Sequence, residues 1–181
     1  ELKKQFIDIC MASSKIGAKT IVVPLVDEGS LKSDEEEDIL IDFCNKNKKI
    51  FEELNIKLAF ETDYSPRKVH NMINKLPHNS FGINYDTGNS AALGYNPEDE
   101  FKQYGRRIIN VHIKDRALGG STVPLECGDV DFRSVLMLLK RYSYNGNLIL
   151  QTARAEDNEH IEKISKYRDF IKEIIEGIYK Q

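Results

Sequence analysis

The chain has 181 residues, of which 40% are hydrophobic and 30% charged. That balance suits one folded domain with a sizeable core and excludes a disordered chain. A formal net charge of -3 lacks the basic footprint of a nucleic-acid binder, and no apolar run approaches the roughly 20 residues of a membrane span.

Three widely spaced cysteines, Cys10, Cys44 and Cys127, form no C-x-x-C pair. Neither a disulfide framework nor a thiolate zinc site is indicated, and a reducing, cytoplasmic setting is expected.

Leu2, Phe6, Ile9, Cys10, Ser13 and Ile16 recur at helical spacing, and Gly17 supplies a stop, which predicts an amphipathic helix over residues 1–17. Thr20 to Leu25 is a short β-branched run that reads as a buried strand. Ser33 with Glu36 three residues later is a capping-box signature. It opens a predicted helix to about Leu54, with Ile39, Leu40, Phe43, Ile50 and Leu54 on its apolar face.

The alternation then repeats. Strand 57–61 precedes a helix over about 66–76; strand 81–86 precedes a loop and a short helix near 97–104. Strand 107–113 precedes a long glycine-rich loop and a helix over about 132–142. Strand 147–151 precedes a terminal helix from about Glu156 to Ile178. Five βα repeats predict a parallel sheet, because each crossover must return the chain to the same end. No linker divides residues 1–181, so a single domain is expected.

An open sheet and a closed barrel both begin this way. The G-x-G-x-x-G turn of dinucleotide folds is absent, and polar residues leave several different strand ends, which favours barrel logic. A closed barrel needs eight strands. Five strands and a chain that starts on Glu1 lead us to expect part of a longer protein, or a fold completed by another copy of the chain.

The candidate chemistry sits at those strand ends: Glu61, Asp86 and His112. Two carboxylates and an imidazole form a mixed oxygen and nitrogen set suited to a divalent ion such as Mn, Co, Mg or Zn. Taken singly, each has a bland alternative: a strand-end glutamate in a salt bridge, an aspartate before Thr-Gly organising a turn. Their repetition on successive strands is what points to a site. His70, His78 and His160 have no partners at ligand spacing and are expected at the surface.

Three segments carry a family resemblance: Tyr85-Asp86-Thr87-Gly88-Asn89, Val111-His112-Ile113-Lys114-Asp115-Arg116, and Val123-Pro124-Leu125 through Gly128-Asp129-Val130-Asp131-Phe132. With Tyr144 to Leu150 they resemble the sugar phosphate isomerase/epimerase family of xylose isomerase-like TIM barrels. Ketose 3-epimerases, hydroxypyruvate isomerase and inosose dehydratase are among its members.

The resemblance covers the family's last five βα units and implies a metal held by Glu61, Asp86, His112 and Gln151. Gln151 is a departure: it stands where the family has a second glutamate that doubles as an acid/base. Asn89 stands where many members have histidine, and Glu126 where glycine is common.

The implied activity is metal-dependent isomerisation or epimerisation of a sugar or sugar phosphate, with proton transfer beside a carbonyl through an enediolate. Glu61 would be the base and Gln151 its catalytic counterpart. Lys114, Asp115, Arg116 and Arg154 would meet the substrate, although Lys114 equally suits an ion pair with Asp115 and Arg154 a surface ion pair. Two alternatives share the scaffold. One is a lyase or dehydratase, with Lys114 or Glu126 as acid; the other is a non-catalytic sugar-binding protein, because an amide at Gln151 carries no proton. Partners on either reading are small molecules, not nucleic acid or membrane.

Overall fold

A computed structural model of the chain describes residues 1–155 and 159–180. They fall into two compact units, Glu1–Asn84 with Arg107–Ile109, and Tyr85–Arg106 with the chain from Asn110 onward. Among the described residues no helix is long and apolar enough to cross a membrane.

The first unit runs α1 (Leu2–Lys15), β1 (Thr20–Leu25), α2 (Asp34–Glu53), β2 (Lys57–Thr62), α3 (Pro66–Ile73) and the start of β3 (Phe81–Asp86). Gly17 ends α1 with φ +86°, a left-handed value that only glycine adopts without strain. Ser33 caps α2 by accepting from the Glu36 N–H at 3.3 Å. The carboxylate of Glu36 reaches back one residue further than a standard box, to the Lys32 N–H at 2.6 Å.

The core side of α2 differs from the expectation. Its buried stripe is Glu37, Ile41, Cys44 and Phe51, whereas Ile39 is 56% exposed. Two residues are about 200° around a helix, so burying Ile41 turns Ile39 outward. Leu40, Phe43, Ile50 and Leu54 flank the stripe, half-buried.

β1 and β2 pair in parallel from Thr20 opposite Lys57 to Leu25 opposite Thr62. β2 and β3 continue in parallel, from Leu58 opposite Phe81 to Phe60 opposite Ile83. Leu58, Ala59, Phe60 and Glu61 are all buried, the pattern of a strand covered on both faces. Phe81 joins strand to helix: it stacks on Phe60 at 6.3 Å and meets Phe51 of α2 edge-on at 5.7 Å.

The second unit holds α4 (Thr87–Ala92), α5 (Pro97–Tyr104), most of β4 (Ile108–Ile113), the two-residue strands β5 (Asp115–Arg116) and β6 (Thr122–Val123), α6 (Phe132–Arg141), β7 (Leu148–Leu150) and α7 (His160–Tyr179). β4 pairs with β7 in parallel. The strand order is β1-β2-β3-β4-β7, the parallel α/β sheet that the alternation predicts. The long glycine-rich loop contains the antiparallel pair β5–β6, which the sequence pattern did not show. The expected start of the last helix at Glu156 lies outside the described residues.

Caps follow the local chemistry. Asn96 caps α5 through the Glu98 N–H at 2.8 Å, beside Pro97 in the first turn. Asp131 caps α6 through the Ser134 N–H at 2.9 Å.

Glu100 of α5 is buried beneath the end of β3. Its carboxylate accepts from Tyr85 Oη at 2.8 Å, from Tyr104 Oη at 2.7 Å and from Ser90 Oγ. Burial outweighs these three hydroxyls and holds its carboxyl above the ordinary value. The folded protein therefore binds this proton more tightly than the unfolded chain. The associated stability is complete below the unfolded pKa of about 4.3 and is lost as pH rises through the folded value. Glu100→Gln cannot titrate. In urea denaturation at stepped pH, its stability relative to wild type should grow through that window and then level off; a flat difference would show that Glu100 is not held protonated.

Candidate metal and proton-transfer site

Asp86 ends β3 and starts α4. Its Oδ1 accepts from the Asn89 N–H at 2.8 Å, so the side chain is the N-cap of α4. One oxygen is thereby committed and the other aimed elsewhere. Oδ2 is closed to solvent. The Lys114 ammonium stands 2.9 Å from it and His112 Nδ1 3.7 Å from it. Burial alone pushes the Asp86 carboxyl up. Contact with the His112 imidazole, the Lys114 charge and the Asn89 N–H outweigh burial and hold it below its ordinary value.

Four consecutive residues build the seat of Lys114. Asp86 supplies the ion pair. Thr87 Oγ1 accepts from the Lys114 N–H at 2.9 Å and donates to its carbonyl at 2.5 Å, clipping the backbone on both sides. Gly88 leaves room for the stem: a Cβ there would lie 2.7 Å from Lys114 Cγ. Asn89 Oδ1 completes the seat, 3.4 Å from Lys114 Nζ and 2.8 Å from Arg116 Nη1.

Asp115 corrects an expectation. It is fully buried, and its oxygens accept from the N–H groups of Gly128 at 3.0 Å and Val130 at 3.2 Å. A side chain at residue 128 would collide with Asp115 Oδ1. Asp115 pins the loop that leads into α6 and is unavailable to a substrate. Lys114 pairs with Asp86 and not with Asp115. Arg116 is held by Asn89 and by the Gly120 carbonyl, at 2.9 Å from Nε and 2.6 Å from Nη2.

In the first unit, the buried carboxylate of Glu61 accepts from Asn84 Nδ2 at 2.6 Å. Asn84 precedes Asp86 by two residues on β3, and residues two apart on a strand share a face.

Gln151 follows β7 directly. Its N–H donates to the Ile113 carbonyl at 3.0 Å, and the residue is exposed. Arg154, also exposed, lines a cavity of about 460 Å³ with His160, Lys163 and Ile164. Glu126 is an exposed loop residue at φ +72°. His78 and His160 are exposed, and His70 is half-buried beside Asn74.

Two donors bound to one cation at about 2.1 Å each lie roughly 3–3.5 Å apart. The 3.7 Å between Asp86 Oδ2 and His112 Nδ1 is close to that spacing, and a buried carboxylate oxygen suits a positive ligand. Within the second unit, Asp86 and His112 can each supply one ligand atom to a metal ion.

Parallel strands that alternate with helices and deliver acids and an imidazole at their ends define the class as a parallel α/β scaffold. The family model for the xylose isomerase-like TIM barrel matches residues 2–174, and the chain belongs to that family.

An inosose dehydratase of Clostridium tetani (strain Massachusetts / E88) is 26% identical over 195 residues, covering 92% of this chain and 65% of that protein. The chain thus spans about two thirds of that relative's length. The xylose isomerase domain protein of Planctomyces limnophilus superposes with a TM-score of 0.79 at 17% identity, over 99% of this chain and 67% of that one. The IOLI protein with a bound zinc atom superposes at 0.80 with 20% identity, over 98% and 70%. At such identities the structural likenesses establish the fold.

Proposed function

We propose that this protein abstracts a proton from the carbon beside a carbonyl of a sugar or sugar phosphate, as a divalent-metal-dependent isomerase or epimerase does. The observation that carries the reading is the pair of buried carboxylates at successive strand ends, Glu61 and Asp86, with His112 beside the second. The metal, when bound, supplies positive charge to the oxygen that becomes negative as the proton leaves.

Glu61, Asp86 and His112 are its ligands in this reading, with Gln151 as a fourth through its amide oxygen. Glu61 takes the proton. A carbon acid beside a carbonyl is weak, so a positioned base and nearby positive charge are both required. Arg116 and Arg154 present guanidinium groups to an anionic or polyhydroxylated substrate.

A second reading keeps the first step and changes its outcome to dehydration. The inosose dehydratase relative favours it, and so does the residue set: Gln151 has no proton to return to carbon, whereas Lys114 is an ammonium beside Asp86. Glu61 takes the α-proton, and Lys114 protonates the neighbouring hydroxyl. That group leaves as water, and the electron pair of the broken C–H bond forms the new C=C.

The metal-loaded protein, incubated in D2O with a panel of ketoses, ketose phosphates and cyclic polyol ketones, should place deuterium next to a carbonyl in at least one of them. NMR of the product then separates isomerisation from loss of water. Absence of exchange across the panel would end both readings.

A further inference from the structure

The seat around Lys114 is more elaborate than a surface contact needs, and it ends on the one oxygen of Asp86 that the α4 cap leaves over. Lys114 and Asp86 side chains are 12% and 1% exposed, so solvent does little to share the charge. We propose that Lys114 is an internal counter-ion that occupies the metal-binding oxygen of Asp86 and is displaced when a divalent cation arrives. The inference rests on the metal reading above and adds a control on metal loading that belongs to this chain's own residues.

Three observations support displacement over coexistence. Asp86 Oδ1 already accepts from the Asn89 N–H, which leaves Oδ2 the less committed oxygen. Oδ2 is closed to solvent, and what stands against it is the ammonium at 2.9 Å. A metal about 2.1 Å from Oδ2 would lie within about 5 Å of Nζ, which is 2.9 Å from the same oxygen, and two cations that near repel strongly in a site of low effective dielectric.

The ammonium is held at Oδ2 by an ion pair of 2.9 Å. Its second contact, Asn89 Oδ1 at 3.4 Å, is long. The backbone stays clipped by Thr87, so only the end of the side chain must move. While Lys114 holds Asp86 it cannot serve a substrate; metal loading frees it.

The test is Mn2+ binding to the metal-free protein, followed by calorimetry. Lys114→Met should bind Mn2+ at least about tenfold tighter than wild type, the lower end of what a unit charge a few ångström away exerts. Lys114→Arg, which keeps the cation, should stay near wild type. Unchanged or weaker binding by the methionine variant, with wild type binding normally, overturns the inference and leaves the metal reading standing. Absence of Mn2+ binding in every form ends both.

Should the methionine variant fail to fold, reductive methylation of wild type read by mass spectrometry decides the matter. Labelling of Lys114 should rise several-fold on adding Mn2+, and equal labelling with and without the ion overturns displacement.

Discussion

Asp86→Ala is expected to lose divalent-cation binding and about 4–6 kcal/mol of stability together. Two separate debts follow from one carboxylate. Its Oδ1 caps α4, and replacing a capping aspartate by alanine costs about 1 kcal/mol. Its Oδ2 neutralises Lys114, and removing one partner of a buried pair costs about 3–5 kcal/mol because the other charge is left in the interior.

Set against a total stability of about 5–15 kcal/mol, that places the variant near unfolding. Asp86→Asn separates the two effects: the amide oxygen can still cap α4, while Lys114 stays unneutralised. It should therefore lose about 3 kcal/mol and still fail to bind Mn2+. Urea denaturation and calorimetry read both quantities. An alanine variant as stable as wild type, or one that binds Mn2+ equally well, would show that Asp86 is neither anchor nor ligand.

The same carboxyl gives a pH signature. Its folded value lies below the ordinary one, so its contribution is present above the unfolded pKa of about 3.9 and is lost as pH falls through the folded value.

What could be read in the sequence were features set by neighbours along the chain. Apolar runs at 20–25, 57–61 and 81–86 became β1, β2 and β3, and Ser33 opened α2 as its Glu36 partner implied. Gly17 stopped α1. The candidate ligands Glu61, Asp86 and His112 stood out because each lies at or near the C-terminal end of a predicted strand.

What could not be read were features set across the chain. Residues 87–92 passed for loop, although Asp86, an acidic acceptor three residues before the Asn89 N–H, was a legible N-cap signal; short helices with Gly and Asn lack the apolar period that marks longer ones. Ile39 and Ile41 have the same hydropathy, and only packing against the first unit's core chose Ile41 for burial. Lys114 had two carboxylates in reach, Asp115 next to it and Asp86 far back in sequence. Lys114 lies between β4 and β5, and the contacts that separate the two are long-range: Asp115 accepts from the Gly128 and Val130 N–H groups, and Lys114 meets Asp86.

Glu61→Gln should leave the fold intact and slow proton abstraction by about 10²–10⁴-fold. The substitution keeps the side chain's shape, and the amide oxygen can still accept from Asn84 Nδ2, the contact that orients Glu61 at 2.6 Å. Glu61 is 6% exposed, so exchanging its charge for a neutral group does not open a cavity, and melting should move little. What disappears is the ability to take a proton. A positioned general base contributes about 10²–10⁴-fold, equivalent to roughly 3–5 kcal/mol in the barrier.

The loss should fall on kcat, with deuterium incorporation from D2O reduced in parallel and KM changed far less, because the base works in the transition state. Metal affinity should fall as well, since an amide is a weaker ligand than a carboxylate. Measuring exchange at saturating Mn2+ removes that second effect. If exchange at saturating metal then returns to within a few-fold of wild type, Glu61 is a ligand alone, and the proton is taken by another group.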